Sequence, residues 1–386
     1  MKEIHLLIVW SKALNKKEEI LDDLCNKFDI LEVINVTWTL DKFSENLSRF
    51  YGENLPKNSE KEKHCGNDIF TCIIVRDNHP VYDLRKTSKG SKIVNTNLFD
   101  IKQLYREWTG GGHKIHATDD IMETKLQLAL LFRKDYNNYL SMNKYENELK
   151  HNANLAGSNG WNSFEELFHI LNITSKYIIL RNFDNLNEQL SSEHPDVDLL
   201  VENKYNIANI MNAKPTTNKS YRVQYVVAID KKEINFDLRH LGDNYYCDNF
   251  EKELLNTRKK HMYFYTPNNE MLFYSLIYHA LVHKENISPD YIGEFNKLSK
   301  LLNLNFSMDK FIDTNLLNIL LEYMDKKNFS IVEPNDITVR FNSKLISKKL
   351  YITISIRRNL YEYYLKKRLS LKVFIIKVKN KILSNA

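Results

Sequence analysis

A mixed α/β (α+β) fold with a helical C-terminal region is predicted by three observations. Short apolar runs bounded by turn residues recur through the first two thirds of the chain. Stretches with apolar residues at helical spacing alternate with them, and past residue 250 only the helical spacing remains. The 386 residues, at roughly 150 per domain, suit two or three domains. A hydrophobic content of 43% with only 10 Gly and 7 Pro excludes collagen-like, low-complexity and wholly disordered classes. No run approaches the ~18 consecutive apolar residues that span a bilayer. Met1-Lys2-Glu3-Ile4-His5-Leu6 reads as the start of a strand and lacks signal-peptide features. The four cysteines have no CxxC spacing and are too few for a disulfide framework, so a reducing, cytoplasmic setting is expected.

Residues 4–10 (Ile-His-Leu-Leu-Ile-Val-Trp) read as a buried strand. Ile20, Leu21, Leu24 and Phe28 carry helical spacing, and a second strand is expected from Leu31 to Trp38. The polar stretch Glu53 to Lys63 reads as a loop. Ile69 to Val75 is a third buried strand, stopped by Asp77-Asn78-His79-Pro80. Helices are expected over Leu98–Trp108 and about Asp119–Phe132, the latter capped by Asp119 or Thr118. This N-terminal α/β domain, residues 1–145, is a candidate nucleotide-binding unit. The polar, glycine-containing segment 141–160 marks a boundary.

A second domain, 160–265, begins with a helix from Ser163 to Leu171 and a strand from Tyr177 to Phe183. A loop then closes at His194-Pro195, and Asp196 to Val201 is a short strand. Arg222–Ile229 and Glu233–His240 form a hairpin about Asp230-Lys231-Lys232. Residues 266–386 are helical, including Glu270–His283 and Leu316–Tyr323.

The net charge of +6 is concentrated at one end. From Arg357 to Lys381 nine basic residues face one acid, Glu362, a local excess of eight that leaves the rest near −2. A nucleic-acid binder would spread its basic charge over the body, so nucleic acid is the less favoured partner. Tyr361–Leu383 mixes those cations with Leu365, Leu369, Leu371, Val373, Phe374, Ile375, Ile376 and Val378. It reads as a basic amphipathic segment suited to peripheral contact with an anionic membrane. A packed terminal helix and a nucleic-acid arm are the alternatives.

The acids carry the chemistry. In a strand, residues two apart share a face, so Asp196 and Asp198 project together. On the later strand Ile234, Phe236 and Leu238 face one way, while Asn235, Asp237 and Arg239 face the other. If the strands are neighbours, Asp196, Asp198 and Asp237 converge on one polar face. Three clustered carboxylates repel one another without a cation. Mg²⁺ or Mn²⁺ suits such hard oxygens together with substrate phosphates, and could clamp an in-line displacement at phosphorus. The alternative is that Asp196 caps a turn while Asp198 and Asp237 simply face solvent. Arg239 shares the face and could neutralise a phosphate or pair with an acid. Tyr245 and Tyr246 could stack on a base or sugar, or pack.

A strand with a polar turn, paired acids on the next strand (Asp196-Val197-Asp198) and a third acid on a later one (Asp237) resembles the nucleotidyltransferase superfamily. The resemblance covers roughly residues 163–290. Arg181-Asn182 stands where that family has its small Gly-Ser turn, so Arg181 and Asn182 become candidate phosphate contacts. Members include LicD- and fukutin-type phosphotransferases that act on surface glycans. The resemblance therefore implies a metal-dependent nucleotidyl- or phosphotransferase. Its donor would be a nucleotide or nucleotide-activated compound, and its acceptor a glycan or lipid-linked sugar or polyol of a bacterial-type surface polysaccharide. A nucleic-acid nucleotidyltransferase of tRNA or toxin type and a catalytically inactive scaffold are the alternatives.

Two further groups complete the candidate set. His279 and His283 stand at i, i+4 without the Glu of a zinc motif; with Lys284 they could approach substrate phosphates. Gly110-Gly111-Gly112-His113-Lys114-Ile115-His116 could bring backbone N–H groups to an anion, or could be a plain turn between helices. It resembles the Gly-Gly-x-His-Arg loop of sulfiredoxin- and ParB-like nucleotide-binding domains, with Lys114 in place of Arg. Gly110, Gly111, Gly112, His113 and His116 are its candidate contacts.

Overall fold

The computed structural model describes residues 2–87, 90–143, 147–184, 186–191, 195–284, 289–304, 313–342 and 355–368. His194 and the tail beyond 368 lie outside them. The architecture is mixed α/β, as the apolar patterns predict.

The N-terminal sheet begins with β1 (Glu3–Val9), β2 (Asp29–Val36) and β3 (Phe70–Asp77). A separate ribbon, β4 (Tyr82–Thr87) with β5 (Gly90–Asn95), follows β3. The short β6 (Ile115–Ala117) and β7 (Leu149–His151) complete the sheet in the order β6-β1-β3-β2-β7. The first four of these pair antiparallel, and β7 adds parallel to β2. With α1 (Lys17–Lys27) after β1 and α4 (Thr96–Trp108) before β6, this is a split βαβ arrangement of ferredoxin-like order. Both faces of β1 are covered: Ile4, Leu6 and Ile8 enter one apolar cluster, Leu7 and Val9 another. That is why the strand is continuously hydrophobic rather than alternating.

Between the strands lie α2 (Phe43–Tyr51) and α3 (Glu60–Cys65), and after β6 come α5 (Ile121–Phe132) and α6 (Asn137–Leu140). The expected loop at Glu53–Lys63 thus ends inside a helix, α3, whose first turn is capped by the Ser59 hydroxyl accepting from the Glu62 amide. Helix α5 is capped by Asp120, one residue past Asp119.

The second sheet comprises β8 (Tyr177–Ile179), β9 (Asp196–Val201), β10 (Lys214–Pro215), β11 (Gln224–Ile229) and β12 (Lys232–His240). Their order is β10-β11-β12-β9-β8, with β9 and β12 parallel and the other pairs antiparallel. The β11–β12 hairpin turns on two residues, Asp230 and Lys231, with φ of 49° and 60°, the primed geometry that matches strand twist. Helix α7 (Phe164–Thr174), capped by Ser163, precedes the sheet, and α8 (Lys204–Met211) leaves β9. Helix α9 (Asp248–Asn256), the ribbon β13 (Lys259–His261) with β14 (Phe264–Thr266), α10 (Asn269–Val282), α11 (Asp290–Leu301) and α12 (Asp313–Lys326) follow. Residues 356–368 form a further helix. Among the described residues no helix is long and apolar enough to cross a membrane.

The two sheets share one apolar core, and β7, inside the polar segment 141–160, belongs to the first of them. Trp10, Phe50, Leu155, Trp161, Phe164, Ile234 and Phe236 belong to the same cluster. Through it runs a buried cation. Arg49 on α2 donates from Nε to the Asn209 carbonyl (3.2 Å) and from Nη1 to Ser158 Oγ (3.3 Å). Its Nη2 donates to the carbonyls of Ala156 and Ile210, each at 2.9 Å. Burial pulls the guanidinium down to about 10, so it stays charged at neutral pH. Arg49→Met removes all these donors and leaves buried carbonyls unpaired. We expect a loss of roughly 2–4 kcal/mol, read by urea denaturation, with only partial recovery in Arg49→Lys.

Candidate active site

The polar face of the second sheet holds the acids. The parallel register of β9 and β12 sets Asp198 directly opposite Asp237, and Asp196 opposite Asn235. Val197, Leu199, Ile234, Phe236 and Leu238 point into the shared core, so the acids are driven to the other side by the two-residue period. That other side is covered over most of its length, with Asp196 and Asn235 left at the open edge. Ile178, Leu200, Tyr245, Tyr246 and residues of α10 form a second apolar cluster over it. The acids therefore sit at the seam between the sheet and the C-terminal helices.

Two arginines meet them. Arg181, just past β8, places Nη2 2.8 Å from Asp198 Oδ2. Arg239 places Nη2 3.4 Å from Asp237 Oδ2 and Nη1 3.7 Å from Asp243 Oδ2. Arg239 is buried, and its Nε and Nη1 have no hydrogen-bond acceptor among the described residues. The ring of Tyr245 lies 4.4 Å beneath the Arg239 guanidinium and 6.0 Å from that of Arg181. Its hydroxyl is 2.7 Å from His279 Nδ1, and its ring is 4.1 Å from that of His283. Burial, reinforced by Arg181 for His279 and by Arg239 for His283, holds both imidazoles well below their ordinary range, so they are neutral. Lys284 is exposed just beyond α10, close enough for its charge to depress both rings.

The charges do not cancel. Asp196 is pushed from an ordinary 3.8 up to about 7, first by the protein that displaces water around it, then by the charges of Asp198 and Asp237. More than a third of its surface nevertheless meets solvent, so screening keeps the energetic cost below that of a sealed group. Burial also raises the carboxyl of Asp237, with Arg239 opposing. Among the described residues no three His, Cys, Asp or Glu side chains already stand as a ligand cluster for one ion. Arg181 and Arg239 hold Asp198 and Asp237 instead. The donor set still fits Mg²⁺ or Mn²⁺: hard carboxylate oxygens, one of them raised by burial and then by repulsion that a cation relieves.

Asn182 takes φ of 57°, the left-handed conformation usually left to glycine, which asparagine tolerates best among the rest. Its side chain is exposed beside Arg181.

In the glycine run two amides are already engaged, which favours the plain-turn reading over the anion-binding one. Gly110 N–H donates to the Glu107 carbonyl (3.1 Å) and Gly111 N–H to Arg106 (2.6 Å), so both amides finish α4. Gly112 has φ of 78°, and a Cβ there would meet the His64 ring at 3.0 Å. The segment leads into β6, not directly into a helix, and α5 beyond it opens with Asp120 and Glu123, which disfavour an anion. His113 is half-buried beside His64. His116 is buried within β6, with Nε2 2.9 Å from Gln127 Oε1, and burial lowers it to about 3. Gly110 and Gly111 thus close α4, Gly112 lies against His64, His113 is half-buried, and only His116 is packed within the first sheet.

Sequence reasoning overlooked Asp243 and Asp336. Asp243 is buried between Arg239 and His240, and Asp336, also buried, lies 3.8 Å from Arg222. The i, i+4 spacing of Arg239 and Asp243 was a usable signal for the first; nothing local marks the second.

No protein-family model matches the chain, and no curated protein is similar to it. Among solved structures, a nucleoside diphosphate kinase of Aquifex aeolicus matches with 14% identity and a TM-score of 0.24. The match covers 33% of this chain and 94% of that one, a likeness too slight to bear on fold or function.

The shifted acid gives a pH test. Folded Asp196 keeps its proton to about 7, whereas the unfolded residue releases it near 3.8, so ionisation disfavours the folded state increasingly between those values. Asp196→Asn should melt above wild type at pH 8 without metal, and the gap should close as the pH falls to 4. Equal melting at both pH values would contradict the charge balance described.

Proposed function

We propose that the chain is a metal-dependent nucleotidyl- or phosphotransferase acting on a hydroxyl of a sugar or polyol. The observation that carries this reading is the convergence of Asp196, Asp198 and Asp237 with two largely buried arginines on one face of the parallel pair β9–β12. The resemblance to the nucleotidyltransferase superfamily supports a nucleotide or nucleotide-activated donor, and its glycan-modifying members support a surface-polysaccharide acceptor.

The residues divide the work. Asp198 and Asp237 would hold Mg²⁺ or Mn²⁺, which supplies positive charge to the phosphate oxygens and leaving group. Arg181 offers a planar pair of donors to a phosphate, and Arg239 has donors to spare. Asp196, exposed and titrating near neutrality, is suited to take the proton of the attacking hydroxyl. Tyr245 fixes both guanidiniums before substrate arrives, so stabilisation of the transferring group needs little reorganisation.

Thermal melting with ATP, CTP or UTP, each with and without Mg²⁺ or Mn²⁺, tests this directly. A ligand that binds only the folded chain raises the midpoint by mass action. At least one nucleotide should do so in a metal-dependent way, and Asp196→Ala/Asp198→Ala should abolish the shift. A shift that survives in the double variant would place the nucleotide elsewhere.

A further inference from the structure

Among the described residues the helix at 356–368 is fastened to the body chiefly through Arg358, and it turns its apolar side outward. Arg358 is buried: Nε donates to Glu333 Oε1 (2.8 Å), Nη1 to the Val339 carbonyl (2.7 Å) and Nη2 to the Pro334 carbonyl (3.1 Å). The same Glu333 accepts from the amide and hydroxyl of Ser355, and the Ser355 hydroxyl caps the Arg358 amide (3.2 Å). Start and rotation of the helix are thereby fixed.

With Arg358 pinned inward, 3.6 residues per turn sends positions 356, 360, 363 and 364 to the opposite side. Ile356, Leu360, Tyr363 and Tyr364 are 79%, 64%, 58% and 58% exposed. They form a stripe at i, i+4, i+7, i+8 whose apolar groups face water. Leu365, which the sequence alone would assign to such a stripe, lies instead on the side of Arg358. Arg357, Lys366 and Arg368 flank the stripe and Lys367 ends its line one turn past Tyr363; all four are exposed. Lys367 Nζ sits 5.2 Å from the Tyr363 ring, and Arg357 lies 4.7 Å over Tyr221, on the body. The chain that follows adds Lys372, Lys377, Lys379 and Lys381.

From this geometry we infer that the helix at 356–368 lies flat on an anionic lipid surface, with Ile356, Leu360, Tyr363 and Tyr364 at the acyl–headgroup boundary and the basic flanks against lipid phosphates. The charge argues for lipid. An apolar stripe bordered by cations, almost without acids and with tyrosines at its polar margin, fits an interfacial helix better than a protein groove. The segment that pins this helix also carries Asp336, whose charge acts on Asp237 and whose ion pair is with Arg222. Lipid contact would thus be made through the same stretch that borders the carboxylates.

The test is co-sedimentation of the full chain with vesicles of phosphatidylcholine alone or mixed in equal parts with phosphatidylglycerol. Wild type should bind the mixed vesicles roughly tenfold or more tightly than the neutral ones, and added salt should weaken that binding. Ile356→Ser/Leu360→Ser and, separately, Lys366→Glu/Lys367→Glu should each lose roughly tenfold with unchanged circular dichroism. The second variant alters only exposed positions and so guards against misfolding. Absence of wild-type binding, equal binding to both vesicles, or variants that bind like wild type would overturn the proposal, the last by assigning binding to residues 369–386. A wild-type dimer dispersed by the stripe variant would overturn it in favour of a second copy.

Discussion

Everything at the candidate site follows from one pairing, the parallel register of β9 and β12 that sets Asp198 against Asp237. Apolar neighbours lock that register, because a slip of one residue would turn Ile234, Phe236 and Leu238 out of the core. The acids are then forced together on the remaining face, where water is partly excluded and their repulsion is strong. Two guanidiniums answer four carboxylates. Arg181 is taken by Asp198, and Arg239 is divided between Asp237 and Asp243. The excess falls on Asp196, the acid nearest solvent, which responds by holding its proton toward neutrality.

The surroundings keep this arrangement rigid. On the apolar side the sheet shares its core with the N-terminal sheet, and Arg49 ties the two through backbone carbonyls that no neutral residue could bridge as well. On the polar side Tyr245 supports both arginines, and neutral His279 accepts or shares its hydroxyl proton from within α10. Neutral imidazoles matter here, since charged ones would add two more cations to the guanidiniums beside the acids. The helical region is thus the lid of the electrostatic pocket as well as a separate apolar cluster.

Much of this was legible in the sequence. The continuous apolar run 4–10, the helix after Ser163 and the hairpin strands appear where local patterns place them. The shared face of Asp196, Asp198 and Asp237 followed from strand period alone, and only their adjacency needed the fold. Other features depend on partners distant in sequence. The exposed ribbon β4–β5 has no buried face to give it periodicity, and α3 hides in a run of charges because only its end, Cys65, is buried. The glycine run looked like a phosphate loop because sequence cannot tell which carbonyls its amides will meet, and these meet α4. His116 looked available for the same reason; its partner Gln127 and the aromatic rings of Phe50 and Tyr51 come from elsewhere. The outward stripe at 356–364 could not be assigned without knowing that Arg358 is the buried residue.

The central claim is that the three acids form one site whose surplus negative charge a divalent cation relieves. Calorimetric titration with Mn²⁺ alone, in two buffers of different ionisation heat near pH 7, tests it most directly. Wild type should bind Mn²⁺ and release a fraction of a proton as Asp196 ionises, so the measured heat should depend on the buffer. Asp237→Asn should weaken that binding severely and remove the buffer dependence. Binding that is absent in wild type, or identical in the variant, would contradict the account.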